Sequence, residues 1–215
     1  MVNVKEVIAQ RAAKELPKQA IINLGIGIPT LIANYIDEAQ YVLHTENGML
    51  GVTKVNENNI NPMIVNAGKQ AVGEAVGASY FSSADSFAMI RGGHIDVAVL
   101  GALQIDETGV IANWAIPGKE ILGVGGAMDL LEGAKKIVIT TTHTNADGAP
   151  KFVKKCNYPI TSLRRADVLI TELAVFQWKN THYELVDLIG NTTLEEVASK
   201  TEAYYTIANN LKGGI

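Results

Sequence analysis

Residues 20–29 read AIINLGIGIP, a stretch that indicates the type of sheet in this protein. Its first half is apolar at almost every position, as a strand covered on both faces must be, and this pattern favours a largely parallel sheet. Its second half places Gly25 and Gly27 directly behind the strand, where glycines let the backbone turn sharply and approach a ligand. The stretch therefore predicts a buried strand that ends at a binding crevice.

Further apolar, β-branched segments follow the same pattern and predict strands at residues 41–43, 63–65, 96–100, 136–140 and 167–170. Between them, helices are predicted at residues 2–16, about 30–37, about 83–91 and 193–201. The last helix opens with a capping-box pattern from Thr193 to Glu196. Aromatic residues around a polar turn at 179–181 predict a late hairpin within residues 172–188. The alternation indicates an α/β, Rossmann-like layered fold with a mostly parallel sheet, in one domain over residues 1–215.

The bulk composition excludes several classes of protein. Hydrophobic residues make up 47% of the chain and charged residues 19%, which is typical of a packed globular protein. The net charge of −4 and the scattered lysines and arginines argue against nucleic-acid binding. No apolar run approaches the roughly 20 residues that span a bilayer. The single cysteine, Cys156, allows no intrachain disulfide, and the first residues lack a signal-peptide pattern, so we expect a cytoplasmic protein.

Three more glycine clusters are predicted to follow strands, at residues 46–51, 67–69 and 123–127. In open α/β sheets, ligands bind beyond the carboxyl ends of the strands. A single cluster is adequately explained as a tight turn. Four clusters at one predicted sheet edge, accompanied by a carboxylate, an amide and a lysine, point to one site.

Common cofactor motifs do not fit. Gly25 and Gly27 resemble the start of a dinucleotide fingerprint, but its third glycine and the acidic residue about 20 positions later are missing. There is no P-loop, and no phosphate cradle with an acid–base pair for a sugar-phosphate isomerase. No second ligand lies at metal-binding spacing from any histidine, so we expect structural roles for His44, His94, His143 and His182.

Glu46 stands in the segment HTENG at residues 44–48, directly after a predicted strand. A carboxylate on a strand-end glycine turn can face a substrate while its orientation is fixed. The same pentapeptide would equally suit a solvated turn glutamate. The residues alone leave both interpretations open.

The sequence resembles the B-type subunits of the 3-oxoacid and butyrate–acetoacetate CoA-transferases. The resemblance runs from about residue 4 to residue 205 and is carried by five ordered motifs. They are NLGIGIP at 23–29, ENG at 46–48, IRGGHID at 90–96, ANWAIPGK at 112–119 and GVGGAMDL at 123–130. The resemblance implies the CoA-transferase/isomerase-type fold.

The resemblance to this family also implies a set of site residues. In this family the glutamate of the ENG motif, here Glu46, attacks the acyl-CoA thioester and becomes a glutamyl-CoA thioester. Contacts to CoA carry over to Asn23 and Lys69, and backbone amides of Gly125 and Gly126 are expected at the thioester oxygen. Gly25, Gly27 and Gly48 form the supporting glycine turns. CoA is then a co-substrate, with no permanently bound cofactor and no metal.

The family also implies a partner, a homologous A-type subunit, in an A2B2 heterotetramer. Two rival functions stay open: an acyl-CoA hydrolase of the same fold, and a noncatalytic ligand-sensing subunit. The chain departs from the usual motif at Thr53 and Lys54, where the loop is expected to border the acyl pocket. His44 and Thr45 replace the commoner polar–serine pair before the glutamate. The identity of the two exchanged acids is not determined by these motifs.

Overall fold

The computed structural model describes residues 3–121 and 123–213. Its five α-helices are α1 (Val4–Ala13), α2 (Ile28–Leu31), α3 (Ser83–Arg91), α4 (Ala127–Gly133) and α5 (Leu194–Ser199). Its strands are β1 (Ile21–Leu24), β2 (Val42–Thr45), β3 (Met49–Thr53), β4 (Gly73–Tyr80), β5 (Val97–Gly101), β6 (Gln104–Asp106), β7 (Ile111–Ala112), β8 (Lys136–Thr140), β9 (Phe152–Val153), β10 (Val168–Ile170), β11 (Ala174–Lys179), β12 (His182–Leu188) and β13 (Tyr205–Lys212).

Ten strands form one sheet in the order β13-β12-β11-β10-β8-β5-β1-β2-β3-β4. The five central strands, from β10 to β2, pair in parallel. Antiparallel strands extend the sheet on both sides, with β3 and β4 at one edge and the β11–β12 hairpin towards the other. A small second sheet has the order β7-β6-β9. This architecture confirms the predicted α/β fold with a mostly parallel sheet.

Both faces of the central sheet are covered. In β5, Val97 and Val99 pack into the core layer that contains α1, while Ala98 and Leu100 pack into the layer that contains α3 and α4. All four side chains are buried. This explains the consecutive apolar positions in the sequence, because neither face of the strand meets water.

Most predicted elements are confirmed, including the late hairpin, whose turn lies at residues 180–181. The helix predicted over residues 2–16 is α1, although residue 2 lies outside the described residues. Thr193 caps α5 by accepting from the Glu196 N–H at 3.2 Å. The Glu196 carboxylate does not return the hydrogen bond to the Thr193 N–H, as a capping box would require, because it pairs with Lys200 at 2.7 Å.

One predicted strand was wrong, and one predicted helix has different bounds. Residues 63–65 are not a strand: the Asn61 side chain accepts from the Met63 N–H at 3.0 Å, and this local turn competes with sheet pairing. Only Val65 makes an isolated bridge, to Ala71. The helix expected at about 30–37 begins earlier, at α2, with Pro29 in its first turn, and continues as a 3-10 helix at Ile32–Asn34.

Strands β3 and β4 were not anticipated. They contain three glycines, and most β4 positions are exposed, so they lack the apolar runs that identified the central strands. Helix α4, the short strands β6, β7 and β9, and the eight-residue strand β13 were also missed. Within the described ranges, no helix is long and apolar enough to cross a membrane.

Helices α3 and α4 approach each other so closely that Gly133 has no room for a side chain. A Cβ at this position would lie 2.1 Å from the carbonyl oxygen of Ile90. This contact fixes α4 against α3, and α4 begins directly after the glycine cluster at residues 123–126.

We expect Gly133→Ala to lower the free energy of unfolding by about 1–3 kcal/mol, because the helices must separate to admit a methyl group. Gly101→Ala is the matched control: its Cβ would meet no heavy atom nearer than 4.0 Å, so a change within about 0.5 kcal/mol is expected. Urea denaturation followed by circular dichroism measures both. Equal stability of the two variants would contradict the close approach.

Candidate active site

Glu46 lies in the turn between β2 and β3, and this turn is held in one conformation. Gly48 donates its N–H to the carbonyl of Thr45 at 3.0 Å. Gly48 has a φ of +125°, and a Cβ there would lie 2.2 Å from the carbonyl oxygen of Phe81. Only glycine fits this position without moving the backbone. Glu46 itself is partly exposed, so its carboxylate is accessible on a fixed turn.

A neighbouring loop supports this turn. The backbone N–H of Ala67 donates to Thr45 Oγ1 at 2.9 Å, which brings the predicted cluster at residues 67–69 to the site. The lysine of that cluster, Lys69, is exposed and has a φ of +61°. The loop therefore reaches the site through its backbone.

Asn23 lies beside Glu46 because β1 and β2 pair in parallel, with Asn23 opposite His44. Asn23 is fully buried. Its Nδ2 donates to Glu46 Oε2 at 3.3 Å and lies 3.0 Å from His44 Nδ1. Its Oδ1 accepts no hydrogen bond from the described part of the chain. Such an oxygen is an exception, since buried acceptors are normally satisfied.

His44 connects Asn23 to helix α3. Its Nε2 lies 2.9 Å from Ser86 Oγ, and its ring stacks on Phe81 with centroids 6.1 Å apart. Burial lowers the pKa of His44 to about 4, so the imidazole is neutral near pH 7. The sequence motifs did not identify His44 or Ser86. The one available signal is that Ser86 lies four residues before the buried Ile90, on the buried face of α3.

A cleft of about 630 Å³ opens in front of Glu46. Gly126 forms the wall closest to the carboxylate: a Cβ there would lie 3.3 Å from Glu46 Cγ. Gly125 belongs to the same loop and has a φ of +56°. Further lining residues come from the turn after β1 and from the segment after β7, namely Gly25, Ile26, Asn113, Trp114, Lys119 and Glu120.

The four glycine clusters meet around Glu46, but only two of them follow strands as predicted. The turn at residues 25–29 follows β1, where Gly25 donates its N–H to Val99 O at 2.8 Å and Gly27 precedes α2. The turn containing Glu46 and Gly48 follows β2. The clusters at 67–69 and 123–127 lie in loops, because residues 63–65 form no strand and the last cluster leads into α4.

Thr53 and Lys54 do not line the cleft that contains Glu46. They line a separate cavity of about 280 Å³ beside β2 and α2, with Leu24, Thr45 and Gln70 among its walls. That Thr53 and Lys54 border the acyl pocket stays a prediction. The two cavities share the β2 region but have different walls.

Asn113, Trp114 and Lys119 belong to a motif that the sequence singled out without assigning a role. Asn113 Nδ2 donates to the Gly101 carbonyl at 3.2 Å, and Asn113 Oδ1 accepts from Thr161 Oγ1 at 2.7 Å. These bonds fix the segment after β7 as one wall of the cleft. Among the described residues, no group of three His, Cys, Asp or Glu side chains could hold a metal ion.

Comparison with known proteins gives the family. A model of the coenzyme A transferase family matches residues 5–200. The B-type subunit of the succinyl-CoA:3-ketoacid coenzyme A transferase of Helicobacter pylori (strain J99 / ATCC 700824) is 47% identical over 204 residues, covering 94% of this chain and 99% of that protein. The beta subunit of the acetate CoA-transferase of Haemophilus influenzae (strain ATCC 51907 / DSM 11121 / KW20 / Rd) is 45% identical. The match covers 98% of this chain and 95% of that protein.

A solved structure has the same fold. The acyl-CoA transferase YdiF of Escherichia coli O157:H7, crystallised as the apoenzyme, superimposes with a TM-score of 0.80 at 25% identity. The match covers 98% of this chain and 43% of that one, so this chain spans less than half the length of that enzyme. The chain belongs to the coenzyme A transferase family, as a 3-oxoacid CoA-transferase-like enzyme similar to the subunits named B or beta.

Proposed function

We propose that this chain is the catalytic subunit of a CoA-transferase that moves CoA between a short-chain acyl-CoA and a carboxylic acid, with Glu46 as the covalent nucleophile. The observation that carries the proposal is the placement of Glu46. It lies on a fixed turn, its carboxylate accepts a hydrogen bond from Asn23, and it faces a cleft of about 630 Å³. The relatives' names include succinyl-CoA, 3-ketoacids and acetate. Acetoacetyl-, succinyl-, butyryl- and acetyl-CoA are the donors we would test.

The reaction exchanges one CoA thioester for another, so it needs neither water nor an oxidant. A Glu46 oxygen attacks the carbonyl carbon of the acyl-CoA, and the CoA thiolate leaves, which gives a mixed acyl-glutamyl anhydride. The thiolate then attacks the Glu46 carbonyl carbon and releases the first carboxylate, which leaves a glutamyl-CoA thioester. The acceptor carboxylate then attacks the carbonyl carbon of the glutamyl-CoA thioester, and the CoA thiolate leaves, which gives a second mixed anhydride. The thiolate attacks the acyl carbon of the acceptor, which forms the new acyl-CoA and restores the Glu46 carboxylate.

A carboxylate is a weak nucleophile towards a thioester, so the protein must contribute orientation. Asn23 donates a hydrogen bond to Glu46 Oε2, which leaves Glu46 Oε1 for attack on the thioester. The Gly125–Gly126 loop lies against Glu46, and we assign its backbone amides to the thioester oxygen as that atom gains negative charge. Loss of one such donor typically costs about 100-fold or more in rate.

We assign the body of CoA to the same region. The Asn23 amide suits the pantetheine arm, because an amide can both donate and accept, and the exposed Lys69 suits the negatively charged phosphates. Gly25, Gly27 and Gly48 keep these groups in place through their turns. CoA is the only cofactor in this scheme, and it acts as a co-substrate.

The partner we propose is a homologous A-type subunit, in an A2B2 heterotetramer in the cytoplasm. The relatives are named as B or beta subunits, and such names support a companion chain.

Glu46→Gln in the assembled enzyme should lower CoA transfer by about 10⁴-fold or more, because the amide cannot form the anhydride. In the unaltered enzyme, incubation with acetoacetyl-CoA and reduction with borohydride should convert Glu46 to the alcohol, seen by peptide mass spectrometry. Glu120→Gln is the matched control, since Glu120 lines the same cleft and undergoes the same loss of charge. It should keep both activity and labelling.

A labelled peptide other than the one containing Glu46 would overturn the nucleophile assignment. Two further outcomes would support the rival functions. Release of free CoA at the same rate with and without acceptor acid would identify a hydrolase. CoA binding without turnover, unaffected by Glu46→Gln, would identify a ligand-sensing protein.

The partner requirement has its own test. Co-expression with a homologous A-type subunit should give a complex whose mass, measured by light scattering, equals two copies of each chain, and CoA transfer should require that complex. The isolated chain should be inactive because part of the cleft is then open to solvent. Full transfer by the isolated chain, free of any co-purified protein, would refute the requirement.

A further inference from the structure

Four polar side chains form a continuous chain behind the reactive carboxylate. It runs from Ser86 through His44 and Asn23 to Glu46, with consecutive heavy-atom distances of 2.9, 3.0 and 3.3 Å. Ser86, His44 and Asn23 are buried, at 0%, 3% and 0% exposure. Only Glu46, at the end of the chain, reaches the cleft.

The hydrogen-bond roles in this chain follow from the chemistry of the Asn23 amide. Its Nδ2 carries two hydrogens and accepts nothing, so each of its neighbours must be an acceptor. These neighbours are His44 Nδ1 at 3.0 Å, Glu46 Oε2 at 3.3 Å and, at the longest distance, the His44 carbonyl oxygen at 3.4 Å. His44 must therefore be the neutral tautomer with its hydrogen on Nε2, which donates to Ser86 Oγ.

The opposite amide orientation would be harmful. If His44 Nδ1 carried a hydrogen, the amide would turn to present Oδ1 to it, and Oδ1 would then face Glu46 Oε2. An N–H donor at 3.3 Å would be replaced by a repulsive oxygen–oxygen contact. The turned amide would also place Nδ2 where the buried Oδ1 now lies without a partner among the described residues. The His44 tautomer thus determines whether Asn23 donates to Glu46.

We propose that His44 is a positioning residue for the reaction: as a neutral acceptor, it fixes the Asn23 amide so that an N–H orients the Glu46 carboxylate. This inference rests on the proposed function of Glu46. His44 acts through Asn23 and does not touch the reacting atoms. Its burial and the Phe81 ring stacked on it keep water and alternative partners away from Nδ1.

The first experiment compares two substitutions in the assembled enzyme. His44→Gln keeps a side-chain oxygen that can accept from Asn23 Nδ2, whereas His44→Leu has a similar volume and no acceptor. In a single turnover with acyl-CoA, His44→Leu should slow formation of the glutamyl-CoA thioester by about 10- to 100-fold, the usual effect of a misplaced reacting group. His44→Gln should stay within about threefold of the unaltered enzyme.

Both variants are checked for assembly with the A-type subunit and for thermal unfolding. A merely structural role predicts that thioester formation is unchanged in every variant that assembles, and this result would overturn the inference. If His44→Leu does not assemble, Ser86→Ala replaces it, with Ser86→Thr as the control that retains the hydroxyl. Ser86→Ala should slow thioester formation because Nε2–H loses its acceptor, and a rate equal to that of Ser86→Thr would overturn the inference.

The second experiment observes the tautomer directly. With ¹⁵N-labelled histidine, His44 should show a protonated Nε2 and an unprotonated Nδ1 at pH 7, and Asn23→Ala should shift the Nδ1 resonance. The buried His143, whose ring nitrogens lie 2.9 Å from Thr171 and Thr201 hydroxyls, should not respond. A His44 ring protonated on Nδ1 at pH 7 would overturn the inference.

These experiments separate this inference from the proposed function. Absence of Glu46 labelling in the unaltered enzyme refutes the nucleophile, whatever the tautomer is. Normal labelling that is equally fast in His44→Leu refutes the positioning role alone.

Discussion

The parallel pairing of β1 with β2 is the constraint on which the site depends. Its register places Asn23 directly opposite His44, so residues 21 positions apart in sequence become side-chain neighbours. A shift of one residue would turn every side chain of β2 to the other face of the sheet. Leu43 and Thr45 would then leave the layer that contains α1, and Asn23 would lose both of its side-chain acceptors. The packing of the core therefore specifies the register that the chemistry needs.

The sequence predicted the central part of the fold well and the edge poorly, for a physical reason. Strands such as β5 and β8 are covered on both faces, and their consecutive apolar residues are visible without any structure. The edge strand β4 is largely exposed and contains Gly73 and Gly77. Its place is determined by antiparallel pairing with β3, a long-range interaction that leaves no periodic signal.

The same distinction applies to the site. Glu46, Asn23 and the glycine turns could be named in advance because each belongs to a motif of contiguous residues. Their arrangement around one cleft depends on tertiary contacts, for example the packing of Gly126 against Glu46. His44 and Ser86 lie 42 positions apart, and nothing local marks them as partners. Thr53 and Lys54 are close to Glu46 in sequence, but they line a different cavity.

The two tryptophans of the chain occupy different environments, and this gives the protein two separate optical signals. Trp114 lines the cleft in front of Glu46, whereas Trp178 lies in β11 with its ring edge-on to Tyr183 at 5.2 Å. Emission from Trp114 therefore senses whether the cleft is filled, and emission from Trp178 senses whether the hairpin is intact. With phenylalanine at position 178, the fluorescence of the folded chain would come from a single indole at the cleft, which makes ligand titrations readable without an added dye.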